Sequence, residues 1–230
     1  MIPLRDSIRS RRFPVINVGL IIINVLVFFF ELALTHRELN VFTRQFGLIP
    51  VLYRDPFLVL LKYGIEGFYP FLTSMFLHNG WLHVAGNMLF LWVFGDNVED
   101  RLGHLKYLFF YLLVGVISGV VHVVFNISSP VPTIGASGAV AGVLGAYFVM
   151  FPRARVLALV PLGFFLTVAE VPAVVFLVLW FLLQLFSGVA SIGLPANVGG
   201  VAWWAHVGGF AAGMLLVKVL YKRRRNYYFP

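Results

Sequence analysis

Gly135-Ala136-Ser137-Gly138-Ala139-Val140-Ala141-Gly142 turns a loop into an apolar helix, and its counterpart further on is Ala205-His206-Val207-Gly208-Gly209-Phe210-Ala211-Ala212-Gly213. One run carries a hydroxyl and the other a titratable imidazole, both within segments apolar enough for a bilayer. Polar and ionisable groups at membrane depth are expensive, so their presence there marks a functional site by default. Ser137 sits at a helix start, where the first backbone N–H groups lack intrahelical partners and suit a developing oxyanion. His206 lies one turn into its helix, and an imidazole with an ordinary pKa of about 6.5 is suited to take a serine proton. Taken singly, each has a plainer explanation: a serine caps helices, and a lone buried histidine usually bonds a backbone carbonyl.

The small residues around the pair argue against those explanations. Ala205, Gly209 and Gly213 recur every four residues beside His206. Gly138 and Gly142 lie four apart on the serine helix, as do Ser137, Ala141 and Gly145. Such small-xxx-small faces let membrane helices approach closely. Packing alone explains the glycines, but it does not explain a serine and a histidine lying in these faces.

The solvent is set by composition. Of 230 residues, 60% are hydrophobic and only 11% charged, with a mean hydropathy of +0.93. That is outside the range of soluble domains and points to an all-α, polytopic membrane protein. Apolar runs recur near the length of about 20 residues needed to span hydrocarbon. They are Val15 to Leu34, Leu82 to Phe94 lengthened by neighbouring Trp81 and Gly95, Leu105 to Phe125, Ser137 to Met150, Val171 to Phe186 and Ala202 to Tyr221. Pro161 and Gly163 interrupt the stretch from Val156 to Ala169, which reads as interfacial or partly inserted. Glu170 followed by Pro172 reads as the start of the fifth span.

Charge orients these spans. With six of them, thirteen of the 17 Lys and Arg fall on one side, against Arg37, Arg44, Arg54 and Lys62 on the other. The positive-inside rule then puts both termini in the cytoplasm, and a seventh span would carry the C-terminal basic cluster outside. The expected organisation is a basic cytoplasmic N-terminus at 1–14, a six-helix domain at 15–221 and a basic cytoplasmic tail at 222–230. In this topology the fourth and sixth helices both run inward, so Ser137 and His206 share one depth near the outer face of the cell membrane. The first run is longer than a signal-peptide core and is expected to stay as a span. The net charge of +8 flanks apolar runs rather than forming a stripe, so nucleic acid is not an expected partner.

A third helix adds His83 and Asn87 at i and i+4, on one face. Both can donate hydrogen bonds to an oxyanion. A metal would have to use His78, His83 and His206, but no His-Glu-x-x-His pattern or matching carboxylate is present, so no metal or other cofactor is expected. Cysteine is absent, which removes thiolate chemistry. No acidic residue is placed to orient the histidine, so the sequence offers a Ser–His dyad rather than a triad.

In these three motifs the chain resembles the rhomboid intramembrane serine proteases. They are Gly135-Ala136-Ser137-Gly138, Ala205-His206-x-x-Gly209-x-x-x-Gly213 and His83-x-x-x-Asn87, in the family's order and with similar spacing. The resemblance implies a six-helix bundle, a water-accessible site opening to the outer face, and cleavage of single-span transmembrane proteins in the lipid bilayer without a cofactor. It implies Ser137 as nucleophile and His206 as general base. His83 and Asn87 would complete an oxyanion hole with the Ser137 N–H, and Gly138, Gly142, Ala205, Gly209 and Gly213 would support helix packing.

Two positions depart from the family's pattern. Many relatives carry an aromatic four residues after the nucleophile, stacked on the histidine, where this chain has Ala141. Support for His206 is then expected from Trp203 or Trp204. The Trp-Arg pair of the first outer loop is also missing, with Tyr53-Arg54 the nearest echo. The alternatives are a catalytically inactive rhomboid-like protein that binds membrane clients, or a small transporter. A transporter would more naturally show intramembrane charge or two inverted halves.

Overall fold

The computed structural model describes residues 1–162, 165–192 and 200–221. The expected tail at 222–230 and Gly163 of the interrupted segment lie outside the described residues.

The chain is mostly helical. A short strand β1 (Ile2–Asp6) precedes α1 (Val15–Ala33), and α2 (His36–Phe46), α3 (Pro56–Tyr63) and α4 (Pro70–Thr73) follow. Then come α5 (Trp81–Leu102), α6 (His104–Phe125), α7 (Ser137–Met150), the strands β2 (Arg155–Leu162) and β3 (Phe165–Pro172), α8 (Ala173–Ala190) and α9 (Trp203–Leu220). Among the described residues four helices, α1, α6, α8 and α9, are long and apolar enough to cross a membrane. α5 is as long as α6 but ends in the polar run Asp96-Asn-Val-Glu-Asp-Arg101. At about 21 Å, the 14-residue α7 falls short of the roughly 30 Å of a bilayer core.

α7 occupies the centre. Every residue from Gly138 to Tyr147 is buried, the pattern of a helix that is apolar all round and enclosed by others. It packs most extensively on α9 and also touches α5 and α6. The short helices between α1 and α5 build an outer layer with a small core of its own around Leu48, Tyr53, Val59 and Val123. Sequence signals place two of them. Thr35 and Glu38 form a reciprocal capping box at α2, and Asp55 accepts from the Phe57 and Leu58 N–H groups at α3, with Pro56 in the first turn.

The polar end of α5 has a structural use that the span assignment missed. α1 has no side-chain cap of its own, and Glu99 supplies one from a distant helix. Its carboxylate accepts from the Ile16 N–H at 2.9 Å and the Asn17 N–H at 2.7 Å. An acid at a helix N-terminus suits both the free donors and the dipole. Asn17 in turn donates to the Leu91 carbonyl and accepts from the Tyr107 hydroxyl, which locks α1, α5 and α6 together.

An all-α fold needs correcting at one place. β1, β2 and β3 form a three-stranded antiparallel sheet in that order. The stretch read as interfacial is most of its hairpin. Burial alternates along both long strands, with Val156 and Ala158 fully buried in β2, and this period of two belongs to a sheet rather than a helix. Glu170 does not open a helix. It lies on β3 and pairs with Arg155 at 3.1 Å, while α8 begins at Ala173 behind the extended Pro172. The sheet reaches the central helix through Asp6, whose carboxylate accepts from the Tyr147 hydroxyl and from Asn97 Nδ2.

Candidate active site

α7 and α9 approach at backbone distance. A Cβ placed on Gly209 would overlap the Gly138 carbonyl, one on Gly213 the Gly142 carbonyl, and one on Gly145 the Phe210 carbonyl. A Cβ on Gly138 would come 3.6 Å from that of Ala205, after displacing the Ser118 hydroxyl. The small residues picked from sequence thus form one seam, and the seam sets the distance between Ser137 and His206.

The two side chains meet. Ser137 Oγ lies 2.7 Å from His206 Nε2. The other ring nitrogen, Nδ1, lies 2.7 Å from Gln184 Oε1, a carbonyl oxygen that can only accept. The ring proton therefore sits on Nδ1, and the Nε2 lone pair receives the serine O–H. His206 and Gln184 are both buried. Of the two tryptophans expected to support the histidine, Trp203 touches it and Trp204 does not. Trp204 stacks on Phe125 with centroids 3.9 Å apart, and Trp203 meets the imidazole edge-on at 6.2 Å. Trp180 on α8 lies tilted over the ring at 6.0 Å. Sequence reasoning passed over Gln184, whose signal is a lone amide in an otherwise apolar helix.

The loop before Ser137 is held from three directions. The Gly135 N–H donates to the Ser74 carbonyl at 2.8 Å, and Thr133 pairs with Leu48 through reciprocal backbone bonds. His122 of α6 supplies the third hold. Its Nδ1 accepts from Asn126 Nδ2, which leaves a proton on Nε2 to donate to Thr133 Oγ1 at 2.8 Å. Gly135 has φ +125°, in the region that favours glycine, and a Cβ there would also run into the His83 ring. The chain can then enter α7 with the Ser137, Gly138 and Ala139 N–H groups uncommitted, since the first closed helical bond runs from Val140 N to Ala136 O.

His83 and Asn87 face this turn from α5. His83 Nδ1 accepts from the Asn79 N–H at 3.3 Å, so the proton is on Nε2, the atom directed at Gly135. Asn87 Nδ2 is buried without a hydrogen-bond partner among the described residues and lies on the same side of Gly135. Two donors thus face the turn that leads into the N-terminus of α7. His78, expected only as a weak metal candidate, packs edge-on against His83 at 5.0 Å. Burial first, and the His83 ring second, push its pKa down to about 4, so it is neutral at pH 7. A cavity of about 1350 Å³ opens onto this group, with His83, Asn87, Ser137, Trp180, Gln184 and His206 in its lining.

A helical bundle with transmembrane-length helices and a Ser–His pair in hydrogen-bond contact, its histidine buried, defines a class, that of membrane proteins with a polar pair set among apolar helices. The chain belongs to the rhomboid family, whose sequence model, described as the rhomboid domain, matches residues 66–223. Rhomboid protease GluP of Bacillus subtilis is 44% identical over 75 residues, covering 33% of this chain and 14% of that protein. The mitochondrial presenilin-associated rhomboid-like protein of Mus musculus is 38% identical over 88 residues, covering 37% and 23%. Rhomboid protein 1, mitochondrial, of Saccharomyces cerevisiae is 27% identical over 209 residues, covering 84% and 56%. The chain therefore spans under a quarter of the length of the first two relatives and a little over half of the third.

Proposed function

We propose that this protein is an intramembrane serine endopeptidase that cuts transmembrane segments of single-span membrane proteins with a Ser137–His206 dyad. The observation that carries the reading is the 2.7 Å contact between Ser137 Oγ and a His206 nitrogen left unprotonated by its other hydrogen bond. A nucleophile and base within hydrogen-bond reach, with the base oriented by a third group, are the signature of an activated serine.

The chemistry follows from the geometry. Ser137 Oγ attacks the scissile carbonyl carbon while its proton passes to His206 Nε2. The carbonyl π pair moves onto oxygen, where His83 Nε2–H, Asn87 Nδ2–H and the Ser137 N–H can stabilise it. Collapse breaks the C–N bond, and the imidazolium returns its proton to the leaving amine. Water then repeats the sequence on the acyl-serine, releasing the acid and the free hydroxyl. Asn87 Nδ2 being unpartnered among the described residues supports this role, since a donor kept free has no bond to give up when the oxyanion forms.

In this reading α5 and α7 join the four long helices as spans, giving six in the cell membrane. Both termini are cytoplasmic, and the cavity opens to the outer face. The short α7 suits that arrangement: a non-helical loop leads to Ser137 below the surface, and such backbone is tolerated where protein or a water-filled cavity covers it. Two of the relatives carry a mitochondrial designation, so membrane fractionation is part of the test.

The decisive experiment uses the purified full chain and a single-span reporter. Wild-type protein is expected to cut the reporter and to react with a fluorophosphonate at Ser137. Ser137→Ala and His206→Ala are each expected to abolish cleavage while still inserting and purifying. Reporter binding without labelling or cleavage would instead support an inactive client-binding protein.

A further inference from the structure

The dyad is held by three helices: Ser137 by α7, His206 by α9, and the oxygen that meets His206 Nδ1 by α8. An imidazole can act as a base through Nε2 only in the tautomer protonated at Nδ1, and something must select it. The aromatic contacts from Trp180 and Trp203 touch ring faces and edges and do not discriminate between tautomers. Ala141, four residues beyond Ser137, is fully buried and carries only a methyl group. The Gln184 carbonyl oxygen is the acceptor in place.

We propose that Gln184 is the positioning residue of this dyad: its side-chain oxygen holds the Nδ1–H of His206, fixes the tautomer and rotamer, and so keeps the Nε2 lone pair on Ser137. The role rests on the dyad reading above. No proton leaves for Gln184. When Ser137 gives its proton to Nε2, the imidazolium keeps its Nδ1–H on the amide oxygen and later returns the Nε2 proton to the leaving amine. An amide suits this place better than a carboxylate. A buried, unpaired carboxylate is costly to desolvate, whereas a neutral amide supplies the same acceptor at a small fraction of that cost. The consequence is a relay with orientation but without a third charge, so the histidine is a weaker base than in a carboxylate triad. The base is also set only while α8 is seated against α9.

The test compares wild-type, Gln184→Leu and Gln184→Glu proteins, all full length in detergent. It measures the pH dependence of fluorophosphonate labelling at Ser137 together with kcat and KM for the single-span reporter. Gln184→Leu removes the acceptor. It is expected to slow labelling and kcat about ten- to a hundredfold, the size seen for partners that orient metal-bound histidines, with KM unchanged. Gln184→Glu restores an acceptor of the same shape. It is expected to recover the rate at high pH while moving the acid limb of the profile up by about one unit or more, because a carboxylate favours the imidazolium. Residues that merely packed α8 on α9 would not move that limb. In addition, ¹⁵N spectra of wild-type protein should show His206 protonated at Nδ1 and not at Nε2, a readout that needs no variant. An Nε2-protonated ring, wild-type rates in Gln184→Leu, or an unshifted limb in Gln184→Glu overturns the role of Gln184 alone. Wild-type protein that neither labels nor cuts removes the dyad reading, and this role with it.

Discussion

Gly209 lies against the carbonyl oxygen of Gly138 with no room between them for a Cβ. Because the obstructing atom is backbone, no side chain can swing aside, and any residue larger than glycine must push α9 away from α7. Overpacking of this kind costs about 1–3 kcal/mol, and the displacement also opens the gap between His206 and Ser137. Gly209→Ala is therefore expected to lower both thermal stability and cleavage, and Gly209→Leu to lower both further. Leu215 of the same helix is largely exposed and provides the control, with Leu215→Ala expected to leave both near wild type. Thermal unfolding and reporter cleavage measured on one preparation check this. A Gly209→Leu protein with normal stability and activity would show that the seam is not needed.

That seam was legible in the sequence because membrane helices advertise themselves twice, by hydropathy and by small residues at a spacing of four. The run Ser137 to Met150 matches α7, and four of the other five expected runs differ from their helices by no more than four residues at either end. The expected second span is the exception, reaching Leu102 rather than Gly95. Its polar end is stabilised by Glu99 contacts to α1, and a cap supplied by another helix leaves no local signal. The sheet was missed for a related reason: β1 pairs with a strand some 150 residues later. At the site, Ser137, His206, His83 and Asn87 each stood out as polar groups in apolar helices. Gln184 met the same criterion and was overlooked, since its meaning depends on a meeting with His206 across 22 residues of chain.

Under the proposed function, Asn87 separates catalysis from stability. Its Nδ2 makes no hydrogen bond among the described residues, so truncation removes no native hydrogen bond and relieves an unsatisfied donor. Asn87→Ala is expected to unfold at the same temperature as wild type or slightly above it. Its kcat should fall by about ten- to a thousandfold, the scale for one oxyanion donor, with His83 and the Ser137 N–H leaving a residue of activity. His83→Ala should also lose kcat, with KM little changed. Steady-state kinetics on the reporter decide the matter. A raised KM with unchanged kcat would make Asn87 a substrate-binding group.

Asp6 gives the protein a pH dependence of known sign. Burial of this β1 carboxyl, opposed by the Tyr147 hydrogen bond and reinforced by nearby Asp96, raises its pKa from 3.8 to about 6. Between these values the folded state binds more protons at Asp6 than the unfolded state does. This contribution to stability is therefore full below pH 4 and lost as pH rises through 6. His78 acts in the opposite sense, because its lowered pKa makes stability fall as pH drops from 6.5 toward 4. The informative quantity is the difference between proteins. Asp6→Asn should gain thermal stability relative to wild type as pH rises from 4 to 6, with no further relative change above 7. A difference that does not vary with pH would show that Asp6 has no raised pKa.

Under the proposed function, substrate choice follows from the state of the scissile bond. Inside a transmembrane helix each carbonyl is tied to the N–H four residues on and wrapped by side chains, so Ser137 cannot reach it until the segment unwinds. Unwinding in lipid exposes polar backbone with no partners, which is costly unless the donors and water of the cavity receive it. Segments with Gly, Pro or other weak helix formers just beyond the cut have less helix to lose. A reporter cut near the outer end of its span should therefore lose most of its turnover when its helix breakers are replaced by Leu and Ala. The loss should fall on kcat rather than KM, because the helical segment still partitions to the enzyme in the bilayer. Restoring a single Gly-Pro pair next to the bond should return much of the rate. Equal kcat for uniformly Leu-rich and breaker-containing reporters would mean that unwinding is not the barrier the enzyme has to overcome.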